Sequence, residues 1–143
     1  MPESSVHRVR PRILLVEDDS AVRRSLQLLL QAQGLDVRAY RSAVGLASDP
    51  EALKAVCMVS DLLLPDEDGM LLLQEMRRAG WTGPAILISG HLTDEWAAKA
   101  MEQGFAEILE KPIAERRLID CIARLLTGSG AGNCGRTDGP CAP

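Results

Sequence analysis

The sequence predicts one α/β domain built on a five-stranded parallel sheet with helices on both faces. Two observations carry that prediction. Short β-type apolar runs alternate five times with stretches of helical periodicity, the order that parallel strands joined by crossover helices require. Several of the runs are apolar without interruption, as strands buried on both faces are. The length of 143 residues suits one such domain with loose ends and leaves little room for a second.

Arg12–Val16 (RILLV) is the first strand. A helix follows over Ser20–Gln33, with Val22, Leu26, Leu29, Leu30 and Gln33 at helical spacing and Gly34 in the usual stop position. Leu35–Tyr40 alternates apolar with polar residues, which suits a strand near the sheet edge. Ala43–Ser48 reads as a short helix, and a second runs from Pro50 or Glu51 to Lys54. Ala55–Ser60 (AVCMVS) is a buried strand leading to Asp61. Asp68–Arg78 is a helix with Met70, Leu73 and Met76 on one face, closed by Gly80. Ala85–Ser89 (AILIS) is the fourth strand, and a helix over Thr93–Gln103 starts at a Thr or Asp cap. Glu107–Leu109 is a short strand. Ala114–Leu126 is the last helix, with Leu118, Ile119, Ile122, Leu125 and Leu126 apolar. This is a (βα)5, flavodoxin-like arrangement.

Residues 1–11 read as a polar leader, 12–126 as the domain, and 127–143 as a Gly-rich flexible tail or linker. The net charge of −4 argues against nucleic acid as a direct partner. Nothing after Leu126 could form a helix-turn-helix. No apolar run approaches the roughly 20 residues that span a bilayer, and no signal peptide is evident. Cys57 and Cys121 read as buried thiols, while Cys134 and Cys141 match no common zinc spacing. A reducing, cytoplasmic setting is the expectation.

In an open α/β sheet, ligands bind outside the carboxyl ends of the strands. The first strand ends in Glu17, Asp18 and Asp19, the third in Asp61, the fourth in Ser89-Gly90, and the fifth runs into Lys111-Pro112. Clustered carboxylates repel unless a cation sits among them, and an all-oxygen set suits Mg²⁺ or Mn²⁺. A carboxylate beside such a metal can attack phosphorus. A lysine and the metal then neutralise the phosphoryl oxygens, and Ser89 supplies a hydroxyl for one of them. Gly90 would leave the approach open.

ILLVEDDSAVRRSL, VSDLLLPDEDG, ILISG and LEKP, in that order and spacing, resemble the signature segments of bacterial response-regulator receiver domains over about residues 12 to 126. ISGH, an acidic-started helix and EKP are most similar to FixJ-type receivers. The resemblance implies that Asp61 is the phosphoacceptor, Ser89 the switch hydroxyl and Lys111 the phosphate-binding lysine. It implies a metal site of Asp18 (direct), Glu17 (mainly through water), Asp61 and the backbone carbonyl of Leu63. It also implies a histidine kinase or phosphotransfer protein as partner, and phosphorylation-promoted homodimerisation through the fourth and fifth helices. Glu95, Lys99, Glu102, Arg116, Arg117 and Asp120 offer a charged lattice on that face. The Lys111-Pro112 bond is cis in many relatives. The family usually carries Tyr or Phe three residues before the lysine. Here that residue is Ile108, which can repack but has no ring to rotate, and Phe105 is too far upstream to replace it.

Two other functions stay open. A phosphorylation-independent pseudo-receiver would fit Ile108 but not the intact Glu17, Asp18, Asp61 and Lys111 set. A metal-dependent phosphohydrolase would want a second carboxylate two residues after Asp61, where Leu63 stands. The remaining polar residues have plainer readings. Asp19 reads as a helix-start residue, Asp66 and Glu67 as a solvated loop, and His91 either as a loop residue or as a regulator of water access. Trp81 and Trp96 read as packing or half-exposed residues.

Overall fold

The computed structural model describes residues 10–127. The expected leader and tail, with Cys134 and Cys141, therefore lie outside the described residues apart from residues 10, 11 and 127. The elements run β1 (Arg12–Val16), α1 (Ser20–Ala32), β2 (Asp36–Tyr40), a 3-10 turn (Leu46–Ser48), α2 (Pro50–Leu53), β3 (Cys57–Asp61), α3 (Gly69–Arg78), β4 (Ala85–Ser89), α4 (Asp94–Gln103), β5 (Glu107–Glu110) and α5 (Glu115–Thr127). All five strands pair in parallel in the order β2-β1-β3-β4-β5. The chain thus builds outward from β1 to one edge and then back across to the other. The reversal lies between β1 and β3, where a doubly wound sheet opens its crevice.

The strand pleat divides the core in two. Leu14, Val16, Met58 and Leu87 face α3 and its neighbours through Leu72, Leu73, Met76, Ala100 and Phe105. Ile13, Leu15, Val59, Ile86 and Ile88 face α1 and α5 through Leu26, Leu30, Leu118, Cys121 and Ile122. Trp81 closes the first layer and donates its indole N–H to the Ala55 carbonyl at 2.7 Å, so it is a packing residue. Trp96 is half-buried. Cys57 and Cys121 are both buried and free, and burial pushes the Cys57 thiol up to about 12.

The helices begin where side-chain oxygens can take their first free N–H groups. Asp19 accepts from Ala21 and Val22, Asp68 from Leu71, and Thr93 from Trp96. Asp68 therefore precedes α3 as its cap rather than opening it, and Thr93 is the cap expected for α4. The helix expected over Ala43–Ser48 shrinks to a single 3-10 turn. Gly45 holds φ +75°, a left-handed conformation that no helix continues through. Likewise β3 starts at Cys57 because the Ala55 N–H closes the end of α2 onto Ala52.

Candidate functional site

Register decides which side chains meet. Val16 pairs with Ser60, which sets Glu17 beside Asp61 at the top of the central strands. Ser89 pairs with Glu110, which sets Lys111 one step beyond β4. The Lys111 N–H also donates to the Ser89 carbonyl at 2.8 Å, and the Lys111-Pro112 bond is cis.

Lys111 is the hub. Its Nζ donates to Asp61 Oδ2 at 2.7 Å and lies 2.9 Å from Glu17 Oε1. The second contact is an ion pair without hydrogen-bond geometry, because Glu17 Oε1 is buried and has no hydrogen-bond partner. Glu17 is fully buried, and its other oxygen accepts from the Asp19 N–H at 3.0 Å. Burial raises the Glu17 pKa, and the Asp61 charge adds to this, while Lys111 and the Asp19 N–H pull it down. Partial burial works to lower the Lys111 pKa, but its hydrogen bond to Asp61 and its ion pair with Glu17 outweigh this and hold the ammonium above its ordinary value.

Asp61 is 6% exposed, and its Oδ1 accepts from the Leu63 N–H at 3.3 Å. Asp18 is exposed at the rim. One carboxylate oxygen from each of Glu17, Asp18 and Asp61 falls within 4.8 Å of the others. Three converging carboxylate oxygens, two of them from buried residues, fit a hard divalent cation such as Mg²⁺ or Mn²⁺. Ser89 is buried, and its Oγ accepts from the His91 N–H at 3.1 Å. That bond leaves the hydroxyl proton free to be donated. The structure therefore gathers Glu17, Asp18, Asp61, Ser89 and Lys111 at one sheet edge, with the Leu63 backbone alongside.

Some residues stand differently from the sequence expectation. Asp66 is exposed as expected, but its Oδ1 accepts from the Ala43 N–H and ties two loops together. Glu67 is half-buried rather than solvated. Its desolvation, with Glu75 close by, pushes its carboxyl up to about 7. Ile108 is half-buried against the first core layer, and Glu95, Lys99, Glu102, Arg116, Arg117 and Asp120 are exposed on α4 and α5.

Sequence reasoning missed three supporting residues. Ser60 is fully buried and donates its hydroxyl to the Asp61 carbonyl at 2.9 Å. Gly69 begins α3 so close to β3 that a Cβ would sit 2.5 Å from that same carbonyl. Arg23 donates Nη1 to the Glu17 carbonyl at 2.9 Å and to the Asp18 carbonyl at 3.3 Å. The last had a signal: an arginine four residues after a capping aspartate sits over its own helix start.

Residues 13–123 match the profile of the family described as response regulator receiver domain. The transcriptional regulatory protein FixJ of Azorhizobium caulinodans is 35% identical over 123 residues, covering 85% of this chain and 55% of that protein. The response regulator protein TmoT of Ectopseudomonas mendocina is 32% identical over 114 residues, covering 80% of this chain and 52% of that protein. The chain thus spans about half the length of the curated relatives it matches. Among solved structures, the signal receiver domain of an HD domain-containing protein from Pseudomonas fluorescens Pf-5 superposes with a TM-score of 0.73 at 27% identity. That match covers 83% of this chain and 96% of the other.

Proposed function

This chain belongs to the response regulator receiver domain family of two-component systems, and from that premise we propose that it accepts a phosphoryl group on Asp61 in a Mg²⁺-assisted reaction. The donor is a histidine kinase or phosphotransfer protein carrying phosphohistidine. The observation that carries this reading is the placement of Lys111 Nζ, 2.7 Å from Asp61 and 2.9 Å from Glu17, beside three converging carboxylate oxygens.

An Asp61 carboxylate oxygen attacks phosphorus. The new P–O bond forms as the P–N bond to the donor imidazole breaks, and the imidazole leaves and is protonated. Lys111 offsets negative charge on the phosphoryl oxygens. A divalent cation held by Asp18, Glu17, Asp61 and the Leu63 carbonyl would supply further charge neutralisation there. Ser89 then has its hydroxyl proton to give to a phosphoryl oxygen, and the β4–α4 loop follows that bond. In this reading the domain is a signalling phosphoacceptor rather than an enzyme. The changed surface is α4, β5 and α5, where Ile108 repacks and the exposed charges can meet a second copy. Surface ion pairs give only about 0–1 kcal/mol each, so a dimer would also need apolar contact. Leu63, an exposed aliphatic two residues after Asp61, offers no acid or base for a phosphohydrolase.

The test is incubation with Mg²⁺ and a small phosphodonor, followed by intact-mass measurement. One phosphoryl increment on the wild type and none on Asp61→Asn is the expected result. An equal increment on the variant would overturn the assignment.

A further inference from the structure

We infer that Arg23 is a positioning residue for the cation site: it sets the backbone on both sides of Asp18 and so aims that carboxylate at Glu17 and Asp61. The inference rests on the reading of those three residues as cation ligands.

Asp18 is the one member of the trio that nothing else holds. Glu17 is buried and contacts Lys111, and Asp61 is buried and bonded to Lys111. Asp18 is exposed, and among the described residues its carboxylate has no side-chain or backbone partner. The direction of its Cα–Cβ bond, from which the carboxylate swings, is set by the two peptide units that flank it. Arg23 donates to the oxygens of both, the Glu17 carbonyl at 2.9 Å and the Asp18 carbonyl at 3.3 Å. The first unit follows Glu17, whose own N–H is fixed on the Tyr40 carbonyl at 2.9 Å. The second is held at its other end as well, by the Asp19 N–H on Glu17 Oε2. With both peptide planes pinned, the φ and ψ of Asp18 have little freedom.

The location of Arg23 makes the contact informative. A cation in the first turn of a helix opposes the helix dipole, which favours negative charge there. The half-buried Arg23 guanidinium nonetheless folds back over the start of α1, where it gains two carbonyl acceptors in return.

Positioning and simple charge predict opposite signs. As a mere positive charge beside the acidic corner, Arg23 would repel a second cation, and its removal would tighten Mg²⁺ binding. As a clamp, its removal loosens Asp18 and weakens binding. Mg²⁺ binding to wild type, Arg23→Met and Arg23→Lys can be titrated by calorimetry without any phosphodonor. The clamp predicts a Kd raised by about 5- to 20-fold in Arg23→Met, at the low end of what partners that orient metal ligands give. It also predicts a rise in Arg23→Lys, which keeps the charge but whose shorter side chain ends one bond before the Nη1 that reaches both carbonyls. Faster backbone motion at Asp18 and Asp19 by ¹⁵N relaxation would accompany the weaker binding. An unchanged or lower Kd in Arg23→Met overturns the inference, and circular dichroism checks that the variant is folded. Should that variant not fold, Arg23→Lys decides alone, with an unchanged Kd as the overturning result. If the wild type itself takes up no Mg²⁺, the cation reading fails first, and that outcome is distinct from a wild type that binds beside variants that bind equally.

Discussion

Two acidic triplets of identical composition, Glu17-Asp18-Asp19 and Asp66-Glu67-Asp68, end in different electrostatic states. Their local roles are parallel. Asp19 caps α1 and Asp68 caps α3. The difference comes from what the sheet brings across. The first triplet meets Asp61 from β3 and the Lys111 ammonium from beyond β5: Glu17 pairs with the ammonium, and Glu17 and Asp18 converge with Asp61. The second meets Glu75 from α3 and, among the described residues, no ion-pair partner, and Glu67 responds by holding its proton up to about pH 7. Acidic count does not make a cation site; convergence of carboxylate oxygens from separate elements does.

The largest expected effect comes from making the first triplet resemble the second. Lys111→Met leaves Glu17 and Asp61 facing each other without the ammonium. Breaking a fully buried pair costs roughly 3–5 kcal/mol, and with 24% side-chain exposure at Lys111 a loss of about 1–3 kcal/mol is expected. Urea unfolding at neutral pH measures it, and millimolar Mg²⁺ should recover much of the loss. A loss that Mg²⁺ does not touch would break the comparison.

The caps should behave alike despite their different neighbours. Asp19→Ala and Asp68→Ala are each expected to cost about 1 kcal/mol in thermal or urea unfolding. A much larger loss at Asp19 would show that capping and the acidic site are coupled at the first triplet alone.

The smallest effect belongs to Glu67. Its folded pKa lies above the ordinary 4.5, at about 7, so the native state holds a proton that the unfolded chain releases between those values. The stability linked to that proton is complete below pH 4.5 and is lost as pH rises through about 7. Glu67→Gln should therefore stabilise relative to wild type at pH 8 and not at pH 4. The gain should be under about 1 kcal/mol, because Glu67 is only half-buried and solvent screens part of the shift. Melting curves at the two pH values decide it, and a gain equal at both would refute the linkage.

Much of this was legible before the fold was seen, for local reasons. The apolar runs read at 12–16, 55–60 and 85–89 became strands buried on both faces, the second of them at Cys57–Asp61, and the period read at 20–33 became a helix with one apolar face, Ser20–Ala32. Errors gathered where a single residue overrode a pattern. Gly45 interrupted the helix expected at Ala43–Ser48, and the end of α2 claimed Ala55 from the strand.

The sequence by itself determined which chemistry could assemble: parallel strands must all release their terminal residues at one edge, so Glu17, Asp18, Asp61, Ser89 and Lys111 had to be neighbours. Tertiary structure alone decided how they are held. Ser60 on the Asp61 carbonyl, Arg23 over the Glu17 and Asp18 carbonyls and Glu67 beside Glu75 are placements of side chains across loops. Neither periodicity nor spacing encodes those paths. They follow from strand register and helix packing, which turn residues distant in sequence into partners a few ångströms apart.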